Sequence, residues 1–230
     1  VADSLYWMAR YAERAEHGAR LMRVRLEAMI EQGERESSEG WRRTLYALAD
    51  ADPEDPAAEP RDITFRTAFD RDNPSSLVSS IVAARDNARQ VRDLISSEMW
   101  EQINRQYLRI TQLDYDWIWS GNPAQTFIDI GDGIWMFQGI TQSTMRHGEG
   151  FDFIELGTYI ERAQLVARLL DVYLSPAQDD GPKFQTPGYF DWISLLKSCT
   201  GFEAYCKVYT AQISPRKIAE FLIFDPEFPH

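Results

Sequence analysis

The chain of 230 residues has little cysteine, little histidine and no long apolar run. Its two cysteines, Cys199 and Cys206, lie seven apart on an expected helix. That is about 10 Å along the axis, too far for a disulfide, so a reducing compartment is the simplest inference. The only histidines are His17, His147 and His230, and no Glu-x-x-His lies on an expected helix. The di-iron bundle pattern is therefore missing, and neither metal nor other cofactor is expected. No stretch of about 18 apolar residues is present to span a membrane, and no secretory leader is visible. The expected location is the cytoplasm. Gly-x-Ser-x-Gly is absent, as is a clear Cys/His arrangement. Gly131-Asp132-Gly133 lacks the Lys and the strand context of a phosphate loop. Lysine is scarce as well: only Lys183, Lys197, Lys207 and Lys217. The other basic residues are Arg, which forks onto carboxylates and so suits internal pairing. The net charge of −12 argues against nucleic acid and anionic lipid as partners, since both are polyanions.

What is present is a helical pattern. Hydrophobic residues make up 44% and charged residues 26%, a globular balance that argues against wholesale disorder. Residues 3–33 read as one long helix, capped by Asp3 or Ser4 and ended by Gly33. Leu5, Met8, Ala12, Ala15, Ala19, Met22, Leu26 and Met29 recur at alternating spacings of three and four, an apolar packing seam. Its central alanines admit close approach of a partner helix. Further helices are expected over about 38–50, 61–69, 75–94, 97–112, 122–146, 149–174, 189–209 and 215–224. Segment 51–60, with its three prolines, and segment 175–188 read as loops. Asp114–Gly121 (DYDWIWSG) reads as an aromatic connector. No βαβ alternation appears, so the expected class is all-α.

An internal repeat sets the organisation. Residues 11–24 (YAERAEHGARLMRV) align with 159–172 (YIERAQLVARLLDV), with eight of fourteen positions identical. The seam recurs at Phe153, Leu156, Ile160, Ala163, Ala167, Leu170 and Leu174. Trp41 and Leu45 align with Trp192 and Leu196. Pro60, Arg61, Ile63, Phe69, Asp70 and Pro74 align with Pro215, Arg216, Ile218, Phe224, Asp225 and Pro229. Order is kept across all three blocks, which predicts a tandem duplication: a first helical repeat over 1–121 and a second over 122–230, packed as one globular unit. Pro74 opens a long helix in the first copy, whereas the chain stops one residue after Pro229. The second copy is therefore expected to be truncated.

VADSLYWMARYAERAEHGARL, FIELGTYIERAQLVARLLDV and DNPSSLVSSIVAARDNARQVRDLISSEMWEQIN together resemble the bacterial alpha-E family, a helical domain of unknown function with a Glu-Arg motif. The resemblance covers essentially the whole chain. It implies a wholly helical protein whose genes accompany those of an ATP-grasp ligase-like protein and a transglutaminase-like peptidase, hence a part in making or processing an amide-linked or peptide product. It carries no catalytic residues over.

The motif residues are Glu13, Arg14 and Arg20, repeated at Glu161, Arg162 and Arg168. Glu13 and Arg20 share a helix face, and Arg14 lies one step, about 100°, round from Glu13. Apolar neighbours such as Leu21, Val24, Leu169 and Val172 leave the motif half-buried or buried between helices. Reciprocal pairing of Glu13 with Arg162 and of Glu161 with Arg14 follows if the copies pack about a pseudo-twofold axis. Such pairs add little net stability but fix register. The bland roles are a registry device or a solvated surface pair; the sharper one is a ligand or catalytic site built on a buried carboxylate. The aromatic group Trp100, Tyr107, Tyr115, Trp117, Trp119 and Trp135 reads as core, with partner docking through Tyr115, Trp117 and Trp119 as the alternative. Arg85, Arg89, Arg92, Arg105 and Arg109 read as a solvated face. Three functions remain: a non-catalytic partner of an ATP-grasp-type ligase, an enzyme or small-molecule binder at the Glu-Arg motifs, or a homo-oligomeric structural protein.

Overall fold

The computed structural model describes residues 1–32, 34–48, 59–174, 184–210 and 212–228, without the side chains of 32–38. Among these residues the structure is all-helical: α1 (Ala2–Gln32), α2 (Glu34–Ala47), α3 (Pro60–Thr64), α4 (Leu77–Gln90), α5 (Ser97–Thr111), α6 (Tyr115–Ser120), α7 (Pro123–Thr144), α8 (Glu149–Leu174), α9 (Tyr189–Ser198), α10 (Phe202–Tyr209) and α11 (Pro215–Phe224). Expected loops 51–60 and 175–188 fall largely outside the described residues, as do Gly33 and His230.

Boundary chemistry accounts for most elements. Ser76, Ser96 and Asn122 each accept a hydrogen bond from the backbone N–H three residues on, at 3.1–3.2 Å, satisfying donors that a helix start leaves unpaired. Pro123 and Pro215 occupy first-turn positions where a missing N–H costs nothing.

Four expectations are corrected. Asp114–Gly121 contains a helix: Asp114 accepts from the Trp117 N–H at 3.0 Å and caps α6. The helix expected over 189–209 is two, broken where Thr200 adopts a left-handed φ of 54° before Gly201; Cys199 and Cys206 are both free thiols, and only Cys206 lies within α10. The segment 61–69 passes from α3 into one π-helical turn, Phe65–Phe69, closed by the Asp70 N–H on the Phe65 carbonyl at 2.9 Å. Asp3 and Ser4 lie within α1 rather than capping it.

Two compact units are present: Val1–Arg23 with Arg61–Arg162, and Val24–Pro60 with Ala163–His230. This division cuts across the order 1–121 and 122–230, because α1 and α8 each contribute to both units. The first unit is cored by α1 (Leu5, Met8, Ala15), α4 (Ile81, Ala84), α5 (Met99, Ile103) and α7 (Phe127, Ile134). There α4 packs on α5 and α5 on α7. Gly133 allows the second contact: a Cβ on it would fall 2.0 Å from the Gln106 amide. The second unit is cored by Leu26, Trp41, Leu45, Leu169, Trp192, Leu195, Tyr205 and Phe221.

Candidate functional site

In the first unit the opening half of α1 lies against the opening half of α8. Contact is close because α8 carries Gly157: a Cβ there would sit 2.4 Å from the Tyr6 carbonyl oxygen and 3.2 Å from the Ala9 Cβ. Gly150 likewise faces Leu5. Two Glu-Arg doublets are thereby brought together and cross. Arg162 donates from Nε to Glu13 Oε1 at 2.7 Å and from Nη2 to Glu13 Oε2 at 3.1 Å. Arg14 Nε donates to Glu161 Oε1 at 2.7 Å. The reciprocity expected from the sequence is present, and both carboxylates are about 1% exposed while both arginines are 26% exposed. Each arginine also covers the tyrosine one turn before it, Arg14 over Tyr11 at 5.2 Å and Arg162 over Tyr159 at 5.7 Å. A cation over an aromatic face is attracted by the ring quadrupole, which explains why this motif begins with Tyr.

Two members of the site escaped the sequence reading. Arg10 Nε donates to Glu161 Oε2 at 2.6 Å, and Arg10 is held over Tyr6 and Trp7. Gln138 of α7 donates to Glu13 Oε2 at 2.9 Å. Neither belongs to the repeated motif: the residue aligned with Arg10 is Thr158. Arg10 is one turn before Arg14, so helix spacing was the available signal; for Gln138 there was none. Burial works to lower the Arg162 pKa, but its hydrogen bond to Glu13 and the Glu13 charge outweigh it and hold the pKa above the ordinary value.

Arg20 does not join the crossed pairs. It bonds Glu16 Oε2 at 3.1 Å and donates to His17 Nδ1 at 3.2 Å. An arginine can only donate, so Nδ1 accepts and His17 carries its proton on Nε2. That buried atom has no protein partner. Burial, reinforced by the charges of Arg20 and Arg162, holds the His17 pKa well below its ordinary 6.5. Burial pushes the Glu16 carboxyl up to about 7 against the pull of Arg20. Arg168 is half-buried in the second unit, and no hydrogen bond among the described residues joins it to Glu13 or Glu161.

The aromatic residues expected in the core are not buried. Trp117 is 74% exposed, Trp135 is exposed, and Trp100, Tyr107, Tyr115 and Trp119 are half-buried. Tyr115 is tied down: it packs on Phe65 and Phe69, and its hydroxyl donates to the Arg61 carbonyl. Of the three proposed docking residues, Trp117 stands open. The arginine face is partly spent internally, since Arg85 covers Trp100 and Tyr107 and Arg109 bonds Asp129 at 2.5 Å. A further buried hub lies in the second unit. Arg43 pairs with Asp191 at 3.1 Å, donates to the Gln185 carbonyl and stacks over Tyr173.

An all-helical chain whose paired helices exchange Glu-Arg contacts defines the class. The chain belongs to the Alpha-E family, described as a predicted alpha-helical domain with a conserved ER motif, whose model matches residues 1–230. It is 25% identical over 253 residues to an uncharacterized protein of Mycobacterium bovis and to one of Mycobacterium tuberculosis strain CDC 1551, and 24% identical to one of strain H37Rv. Each match takes in 100% of this chain and 28% of the relative, so the chain spans under a third of the length of these proteins. No solved structure matches it. Among the described residues no helix is long and apolar enough to cross a membrane, and no group of three His, Cys, Asp or Glu is placed to hold a metal ion.

Proposed function

We propose that this chain is a helical partner or scaffold in the cytoplasm, working beside an amide-bond-forming ligase of the ATP-grasp type, and that its Glu-Arg motif is a registry device. One observation carries the reading. Both motif carboxylates are consumed by the crossed pairs, Glu13 by Arg162 and Gln138, and Glu161 by Arg14 and Arg10. A carboxylate buried among these donors has its lone pairs occupied. It suits fixing two helices in one alignment better than taking a proton from a substrate. The ligase as partner rests on the family resemblance.

The tandem origin belongs to the same proposal. Several aligned positions outside the seam are alike in burial: Glu13 and Glu161, Trp41 and Trp192, Leu45 and Leu196, Ile63 and Ile218 are all buried, and the Tyr-Arg stacking occurs in both copies. Docking falls to the open Trp117 with Trp119 beside it, because large amphipathic rings concentrate binding energy at interfaces.

The test is affinity capture from the native host, comparing the wild-type chain with a Trp117→Ala, Trp119→Ala double variant. Recovery of an ATP-grasp ligase-like protein by the wild type alone supports docking at α6. Equal recovery by both moves the interface elsewhere, and recovery by neither removes the scaffold reading. A homo-oligomer would appear instead as a doubled mass of the purified chain.

A further inference from the structure

We propose that the crevice bounded by α7, the first half of α8 and the opening of α1 binds a short peptide of two or three residues, its free amino end at Glu155. The inference goes beyond the scaffold reading and does not depend on it.

The cavity holds about 350 Å³, at the small end of the range for ligand sites. Alanines of α1 make the room: Ala9 and Ala12 line it with methyl groups. Trp135 and Tyr159, both substantially exposed, stand at its sides. The charges are arranged by helix geometry. Glu155 and Arg162 are seven residues apart on α8 and both line the crevice; two helical turns separate them by about 10 Å along the axis. Three residues of extended chain span about the same distance.

Unused polar atoms supply the rest. Gln142 donates to Glu155 Oε1 at 2.8 Å, so among the described residues Oε2 takes no partner. Gln138 spends its Nε2 on Glu13 and keeps its amide oxygen. Arg162 spends Nε and Nη2 on Glu13 and keeps Nη1. Acceptors thus gather near Glu155 and along α7, and a donor remains at the Arg162 end. An ammonium group, a run of peptide N–H groups and a terminal carboxylate answer that order. A phosphorylated ligand does not, because the one arginine lining the crevice is already shared with Glu13. A wholly apolar ligand would leave these polar atoms desolvated and unpaired.

Ala-Leu-Ala with free ends, titrated into the purified chain and followed by calorimetry and tryptophan emission, is the direct probe. Its expected dissociation constant is on the order of 0.1–1 mM. N-acetylation of the peptide is expected to weaken binding about tenfold, the loss of one charge-assisted contact. Glu155→Gln is expected to weaken the free peptide by a similar factor while leaving the acetylated peptide unaffected. Absence of saturable binding up to about 10 mM, equal affinity for free and acetylated peptide, or an unchanged affinity in Glu155→Gln would each overturn the proposal. If Glu155→Gln does not fold, acetylation on the wild type decides alone. No ligase is present in these titrations, so their failure leaves the scaffold reading intact, and failed capture leaves this one intact.

Discussion

Helices α1 and α8 carry the same seam at aligned positions, and the structure treats the two seams oppositely. Leu5, Met8, Ala12, Ala15, Ala19, Met22 and Leu26 of α1 are all buried. Their counterparts Phe153, Leu156, Ile160, Ala163, Ala167 and Leu174 are exposed, and only Leu170 is buried. On α1 the seam has neighbours: Leu77 of α4 reaches the helix at Gly18, and the Thr67 hydroxyl approaches Met22 Sδ at 3.6 Å. Among the described residues α8 is instead buried on the side that holds Ile154, Gly157 and Glu161. Alternating spacing of three and four shows that a face is apolar; whether it is covered depends on the elements around it.

The crossed pairs sharpen the comparison, because they look symmetric and are not. Glu161 is held by two arginines, Glu13 by one arginine and one amide. Arg162→Met therefore leaves Glu13 buried with Gln138 as its remaining hydrogen-bond partner among the described residues, and should cost about 4 kcal/mol, as breaking a buried pair does. Arg14→Met leaves Glu161 with Arg10 and should cost less than half of that. Urea melts of the two variants measure the difference. Equal losses would mean the environments are equivalent after all. Restoration of stability in Glu13→Leu, Arg162→Met would identify the Arg162→Met loss as an orphaned charge rather than lost packing.

A second pair of variants tests the seams directly. Met8→Ala removes a fully buried side chain and should cost about 3 kcal/mol. Leu156→Ala, at the aligned position but 48% exposed, should cost less than about 1 kcal/mol. Comparable losses in thermal melts would show that the α8 seam is covered in solution, and a second copy of the chain would then be the first occupant to seek by mass measurement.

The sequence made α1, α7, α8 and α11 legible because length and apolar period agree there. It also made the crossing of the doublets legible, since one Glu-Arg motif repeated on two helices has few ways to satisfy its charges. The break at Thr200 was not legible: no proline marks it, and Gly201 alone did not outweigh a continuous apolar pattern. The α6 helix was missed because six residues are too few to establish a period, although Asp114 was a usable cap. Burial of the aromatic cluster was misjudged for another reason. Ring content reports what could be buried, and α6 leaves Trp117 facing outward. Gln138 was beyond reach, because nothing local identifies a glutamine whose partner lies 125 positions away.

The smallest expected effect concerns two α1 residues whose α8 counterparts cannot titrate. Glu16 and His17 align with Gln164 and Leu165. Glu16, raised by burial to about 7, keeps a proton in the folded chain where the unfolded chain, near 4.5, has lost it. Stability from this residue is lost as pH rises from about 4.5 to about 7. His17 is the reverse: lowered well below 6.5, it stays neutral in the folded chain while the unfolded one protonates. Stability from this residue is lost as pH falls below about 6.5. Between these limits the folded chain holds one proton on Glu16 and the unfolded chain one on His17, so the two slopes cancel. Substituting the α8 residues should separate them. Glu16→Gln leaves the His17 slope and a chain that weakens toward acid; His17→Leu leaves the Glu16 slope and a chain that weakens toward neutral pH. Each tilt is at most about 1.4 kcal/mol per pH unit, read from melting temperatures between pH 5 and 7. Arg20, Glu13, Arg162 and Arg23 surround Glu16. Parallel profiles for the two variants would mean that this corner of α1 is hydrated and titrates as α8 would with the same residues.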